Sequence, residues 1–194
     1  MTTTTTAQPL GRLMLTDVRL AFPALFEAVT VGDEGKPRYS AVLLLPPDHP
    51  QLGKIKSIMR AVADEKWKSK SAEVYKGLEK ADKLALHDGD TKAQYNGFPG
   101  NFFVNAASQE GPPPTVIDGQ RRPLTVKDGK PYAGCYVNCS VEFWAQDNSF
   151  GKRVNAQLRG IQFLRDGDAF SAGRPADADE FETVSEGADA DDLA

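Results

Sequence analysis

The sequence predicts a mainly β protein, a small barrel of about five strands with one helical insertion, and three observations predict it. Residues Cys135–Ala145 alternate cleanly: Cys135, Val137, Cys139, Val141, Phe143 and Ala145 share one side, and Tyr136, Asn138, Ser140, Glu142 and Trp144 the other. Such period-two alternation marks a strand with one buried face. Residues 152–165 alternate in the same way, with Val154, Ala156 and Leu158 inward and Arg153, Asn155, Gln157 and Arg159 outward, until the phase flips at Gly160 and passes to Ile161 and Phe163. A glycine-marked bulge accounts for the flip. Between residues 48 and 84 the period becomes helical, with Leu52, Ile55, Met59 and Val62 on one face and Ile58 beside them. Strands that twist and bulge in this way close into a small barrel.

The remaining elements follow in chain order. Arg12 to Phe22 is a first strand. Its apolar residues are Leu13 and Leu15, then Val18, Leu20 and Phe22, and the change of phase near Thr16-Asp17 predicts a bulge. The cluster from Gly32 to Pro37 is a turn. Arg38–Leu45 is a second strand, ended by Pro46-Pro47. Asp48 is placed to cap the helix, with Pro50 in its first turn. Lys54, Arg60, Lys66, Lys68 and Lys70 give this segment a basic exterior, and a weaker helical stretch, residues 72–84, is interrupted by Gly77. Gly97-Phe-Pro-Gly100 reads as a turn before a short strand at residues 101–108. Asp118-Gly119, Asp128-Gly129 and Asp166-Gly167 are turn dipeptides, and residues 146–151 form a hairpin connection.

A chain of 194 residues suits one domain with appendages. The predicted division is a flexible lead at 1–10, a folded domain at 11–172 with its helical insertion at about 48–84, and a disordered acidic tail at 173–194. All 23 basic residues precede Ala176, facing 19 acids there. The last nineteen residues hold the other eight acids, Asp177, Asp179, Glu180, Glu182, Glu186, Asp189, Asp191 and Asp192. A mildly basic body with an acidic end is a charge-asymmetric design, and such tails serve as interaction segments that compete with polyanions. No stretch approaches the roughly 20 apolar residues of a membrane span. The start lacks the basic and apolar regions of a signal peptide, so a cytosolic setting is expected.

Few residues offer catalysis. Cys135 and Cys139 lie about 13 Å apart on an extended strand at roughly 3.3 Å per residue, too far for a disulfide or one zinc ion. They read as core thiols. His87, Asp88 and Asp90 would be the ligands of a metal-dependent nuclease, but Asp-Gly-Asp is also ordinary turn chemistry. No nucleophile elbow, zinc-protease, phosphate-loop or dinucleotide motif is present. The expectation is therefore a binding protein, not an enzyme, with no cofactor and no metal.

The informative surface is the outer face of the late hairpin. Tyr136, Trp144, Arg153 and Arg159 lie on it, with Phe150 and Lys152 at its turn. Large aromatics on an outer strand face mark a contact site. Rings interleaved with cations suit single-stranded nucleic acid, because bases stack on the rings while Lys and Arg follow the phosphates. Arg38 with Tyr39, and Arg121 with Arg122, are further candidates at strand ends and loops. A structural or protein-interaction module is the reading from a different class.

Several segments together carry a resemblance: Leu15-Thr-Asp-Val-Arg-Leu-Ala-Phe-Pro23, His87-Asp-Gly-Asp90, Gly97-Phe-Pro-Gly100, Pro114-Thr-Val-Ile-Asp118, Tyr132-Ala-Gly-Cys-Tyr-Val-Asn138 and Leu158-Arg-Gly-Ile-Gln-Phe-Leu-Arg-Asp-Gly167. In this order and spacing, over residues 12–172, the chain resembles a family of bacteriophage single-stranded-DNA-binding proteins similar in plan to the T7-type proteins. The resemblance implies an OB-fold, sequence-independent binding of single-stranded DNA in replication or recombination, an acidic C-terminal tail, and residence in the cytoplasm of the infected bacterium. It also implies phage or host replication and recombination proteins as tail partners. The chain departs from the wider class at its end, where Asp192-Leu193-Ala194 stands without a terminal aromatic, and Phe181 is the tail's one ring.

Overall fold

The computed structural model describes residues 9–30, 35–108 and 112–170. The expected lead falls mostly, and the acidic tail wholly, outside the described residues. The elements are β1 (Arg12–Val29), β2 (Arg38–Leu45), α1 (Leu52–Trp67), α2 (Ser71–Lys80), β3 (Leu86–Asp88), β4 (Phe102–Ser108), β5 (Thr115–Ile117), β6 (Tyr136–Asn148) and β7 (Gly151–Arg165).

Five strands close the barrel. Antiparallel pairing runs β4-β2-β1-β6-β7, and β7 returns to β4 in parallel through Ala106 with Ala156 and Ala107 with Gln157. This closed Greek-key arrangement is an OB-fold, which removes the exposed edges of an open sheet. Two short strands lengthen it: β3 beside β4, and β5 beside β7.

The alternation of β6 becomes the barrel interior. Val137, Cys139, Val141 and Phe143 are buried, as are Val154, Ala156, Leu158 and Ile161 on β7. They meet Leu13, Leu15, Val18 and Leu20 of β1, Leu43 and Leu45 of β2, and Val104 of β4 in one core. Helix α1 adds Leu52, Ile55, Met59, Val62, Ala63 and Trp67 to that core. Each large apolar side chain so buried contributes about 1.5–3 kcal/mol of transfer free energy.

Both predicted bulges are present. The pairing of β1 with β6 shifts between Leu15 and Val18, where Asp17 has φ +54°. The pairing of β6 with β7 shifts at Ser140/Val141, which leaves Arg159 as the extra residue before Gly160. A Cβ on Gly160 would lie 3.0 Å from the Thr115 carbonyl, so its small size admits β5 alongside.

Four expectations need correction. Asp48 does not cap α1. The N-cap is Gln51, which makes no side-chain cap; its side chain instead donates to the Met14 carbonyl and accepts from the Thr16 N–H. Gly77 does not break α2, which has open space there; the helices part at Lys68, with φ +52°. The late hairpin is tighter than expected, a two-residue turn of Ser149 and Phe150. Finally, Phe22 is not an inner residue. A second register break, between Ala21 and Ala24, turns it outward at φ +44°, where it is 53% exposed.

Candidate nucleic-acid interface

The barrel's outer face carries its own apolar cluster. Ala21, Leu44 and Phe103 project outward from β1, β2 and β4, Phe98 packs over them, and Val42 and Phe170 flank them. Phe98 arrives on the segment 89–101, which is held by its own polar groups. The Gly89 N–H donates to the Asn101 carbonyl (2.8 Å), the Gly100 N–H to Asp90 Oδ1 (2.7 Å), and Asn101 Nδ2 to the Gly97 carbonyl (2.8 Å). A Cβ on Gly89 would fall 2.1 Å from the Phe98 carbonyl oxygen, so the close approach requires glycine.

This segment lifts Tyr95 to the surface against Phe22, with ring centroids 5.1 Å apart and edge to face. Beside the pair runs a groove of about 510 Å3. Phe22, Tyr95 and Trp144 supply its aromatic surface, and Arg38, Lys83, Lys92 and Arg153 its cations. Among the described residues Asp82 is its one lining carboxylate, and Asp82 Oδ1 lies 2.7 Å from His87 Nδ1. The Lys83 carbonyl accepts from the Val154 N–H, which pins this wall to β7. Among the described residues, Arg38 and Arg153 have no ion-pair partner. A cleft lined by one sign of charge focuses its field on an approaching anion.

The groove thus gathers Arg38, Trp144 and Arg153 from the residues expected in sequence, and adds Phe22, Lys83, Lys92 and Tyr95. Tyr39 adjoins Arg38 on β2 and is half-buried. Lys152 is the second residue of β7, with Nζ 3.5 Å from Asp147, whose other partner is the Trp67 indole N–H at 2.9 Å. Phe150 stands 85% exposed at the hairpin tip. Arg121 and Arg159 line a different groove, of about 410 Å3, with Met14, Asn138 and Gln162. Arg122 is held by Asp118, Nε to Oδ2 at 2.7 Å. The two grooves occupy successive stretches of the outer β6–β7 ribbon: Trp144 opposes Asn155 in the first, Glu142 opposes Gln157 between them, and Asn138 opposes Gln162 in the second.

Tyr136 lies eight residues from Trp144, about 26 Å along an extended strand. Its ring is engaged by the protein itself, with the Arg165 guanidinium 3.5 Å and the Arg19 guanidinium 5.7 Å from its centroid. Arg165 in turn pairs with Asp17 at 2.7 Å.

The nuclease reading does not fit this geometry. His87 stacks on Phe103 at 4.9 Å and faces Asp82. Asp88 accepts from the Asp90 N–H, and Asp90 from the Gly100 N–H. The Asp88 and Asp90 side chains build the 89–101 segment, and among the described residues no group of three His, Cys, Asp or Glu is placed to hold a metal. Cys135 and Cys139 are buried free thiols. Burial pushes Cys135 up to about 11 and Cys139 higher still, so neither offers a thiolate nucleophile.

Known proteins share this architecture. The family described as Enterobacter phage Enc34, ssDNA-binding protein, matches residues 11–194. Protein p50 of the Acyrthosiphon pisum secondary endosymbiont phage 1 is 44% identical over 177 residues, covering 90% of this chain and 94% of that one. The single-stranded DNA-binding protein from bacteriophage Enc34, solved in complex with ssDNA, superposes with a TM-score of 0.64 at 28% identity, covering 83% of this chain and 90% of that chain. The fold also matches gp2.5, a single-stranded DNA binding protein encoded by bacteriophage T7, with a TM-score of 0.54 at 17% identity over 92% of this chain and 100% of that chain.

Proposed function

The chain belongs to the phage Enc34 family of single-stranded-DNA-binding proteins, and on that premise we propose that it binds single-stranded DNA without sequence preference during phage DNA replication and recombination. The observation that carries the reading is the groove in which Phe22, Tyr95 and Trp144 stand among Arg38, Lys83, Lys92 and Arg153. Unpaired bases stack on the rings, each worth about 1–3 kcal/mol, while the cations follow the phosphates. Paired bases offer no free face to the rings, so binding favours melted strands and opposes hairpins. The strand continues along β6 and β7 past Arg159 to Arg121, with Tyr39, Phe150, Lys152 and Arg122 at the margins. The protein acts as a non-enzymatic coat, in the cytoplasm of the infected bacterium.

The folded unit is residues 11–172. The acidic tail, carrying Asp177, Asp179, Glu180, Glu182, Glu186, Asp189, Asp191 and Asp192, competes with DNA for the basic face. Tethering gives it a high effective concentration, on the order of millimolar. DNA displaces it and frees it for replication and recombination proteins of phage or host. The last described residue, Phe170, packs on the outer apolar cluster, to which Val42 of the groove also belongs.

Titrating labelled oligo-dT at several salt concentrations tests the reading. Affinity should fall with a log–log slope of about −0.7 per phosphate neutralised, and absence of binding at low salt would overturn it. Ending the chain near Ser171 should raise affinity at low salt, whereas unchanged affinity would refute the competition.

A further inference from the structure

Between the two grooves, three charged side chains meet at one point. Arg12 Nη2 lies 3.2 Å and Arg159 Nη1 3.3 Å from the same oxygen, Glu142 Oε2. Arg12 enters from β1, which pairs with β6 through Arg12 and Glu142 themselves. Arg159 is the extra residue of the β7 bulge, a position that re-aims a side chain away from the regular ladder. Two guanidinium groups converging on one oxyanion form the geometry that binds a phosphate. The cluster keeps a surplus positive charge, and it stays within reach of solvent, with Arg159 42% and Glu142 25% exposed. Arg12 Nε is buried and has no hydrogen-bond partner, so the carboxylate leaves donor capacity unused.

We propose that Arg12 and Arg159 form a phosphodiester subsite whose place is held in the free protein by the Glu142 carboxylate. The inference rests on the reading that the chain binds single-stranded DNA along the β6–β7 ribbon. A strand leaving the Trp144 groove must pass this point to reach Arg121. A backbone phosphate there exchanges with Glu142 for the two guanidinium groups, and no covalent bond changes. The exchange makes this segment of the path weaker than its cations alone would make it. Glu142 thereby lowers affinity and hastens release without touching a base.

The test compares full-length wild type with Glu142→Gln, Glu73→Gln and Arg159→Gln, each titrated with labelled oligo-dT across a salt series. Glu73 lies in the first turn of α2, outside both grooves, so its substitution makes the same change of net charge without touching either groove. Glu142→Gln should bind about two- to fivefold more tightly at low salt, the scale of one exposed ion pair. Its salt slope should steepen by about 0.7, because the phosphate then neutralises the two guanidinium groups without first displacing an internal carboxylate, while Glu73→Gln keeps the wild-type slope. Arg159→Gln should bind more weakly, with a shallower slope. Equal changes in both glutamate variants would overturn the subsite, because net charge would explain them. Wild-type affinity and slope in either Glu142→Gln or Arg159→Gln would also overturn it. Should wild type itself not bind oligo-dT, the functional reading fails first and separately. Thermal melts of each variant confirm that the folded protein is being titrated.

Discussion

Phe22→Gly should separate stability from binding. Phe22 is 53% exposed, so only about half of the roughly 1.5–3 kcal/mol for burying a phenylalanine is at stake. The edge-to-face pair with Tyr95, at 5.1 Å, adds about 0.5–1.5 kcal/mol. Against these losses stands the backbone. At φ +44° a residue with a Cβ bears about 1–2 kcal/mol of strain, which glycine relieves. The net loss is about 1 kcal/mol, a fall in Tm of about 2–4 °C for a domain of this size. Binding has no such offset. If a base stacks on Phe22, its removal costs about 1–3 kcal/mol, or about 5- to 150-fold in Kd. A thermal melt and an oligo-dT titration on the same sample measure both. A variant that binds oligo-dT as wild type does would refute the assignment of Phe22. A large fall in Tm would refute the strain argument.

Further outcomes follow from the same geometry. Asp118, Asp128, Asp147 and Asp166 are held below the usual carboxylate range, chiefly by the Arg122 N–H, the Thr125 N–H, the Trp67 indole and the Tyr132 hydroxyl respectively. They bind protons more weakly folded than unfolded, so their stabilisation is complete above the unfolded carboxylate pKa and is lost as pH falls through the lower folded values. Tm should hold steady down to about pH 5 and decline below about pH 4; a decline that begins near neutrality would contradict this. Both thiols should resist a thiol reagent at pH 8 in the native protein and react on unfolding, whereas rapid native labelling would contradict their burial. Gly89→Ala should cost about 1–3 kcal/mol by overpacking against Phe98 and should weaken DNA binding through the displaced Tyr95. Gly53→Ala on α1, with open space around it, should instead stabilise by about 0.4–1 kcal/mol; the opposite order in melting experiments would refute the contact analysis.

Much of the barrel was legible because its two longest late strands obey simple periodicity. In β6 every odd residue from Val137 to Phe143 is buried, as its alternation requires. The break at Gly160 was legible for the same reason, since a bulge is a phase error in the pattern. The candidate face was legible only in part. Arg38, Trp144 and Arg153 converge, but Phe22 follows a register break that alternation cannot see. Tyr95 and Lys92 lie in a loop without periodicity, and only the docking of Phe98 on Phe103 brings them to the groove. Tyr136 was legible in one respect only. Its outward position was legible, but the guanidinium groups of Arg19 and Arg165 on its ring come from distant strands. Glu142 was visible as an outward residue of β6, yet its two arginine partners come from β1 and from the bulge, contacts that no local pattern encodes.

Photo-crosslinking tests the central claim most directly. Full-length protein would be irradiated with oligo-dT carrying halogenated uracils, and the attached residues identified by mass spectrometry. Crosslinks at Phe22, Tyr95 and Trp144 are the predicted result. Crosslinks confined to the exterior of α1 and α2, with those three rings unmodified, would contradict the account.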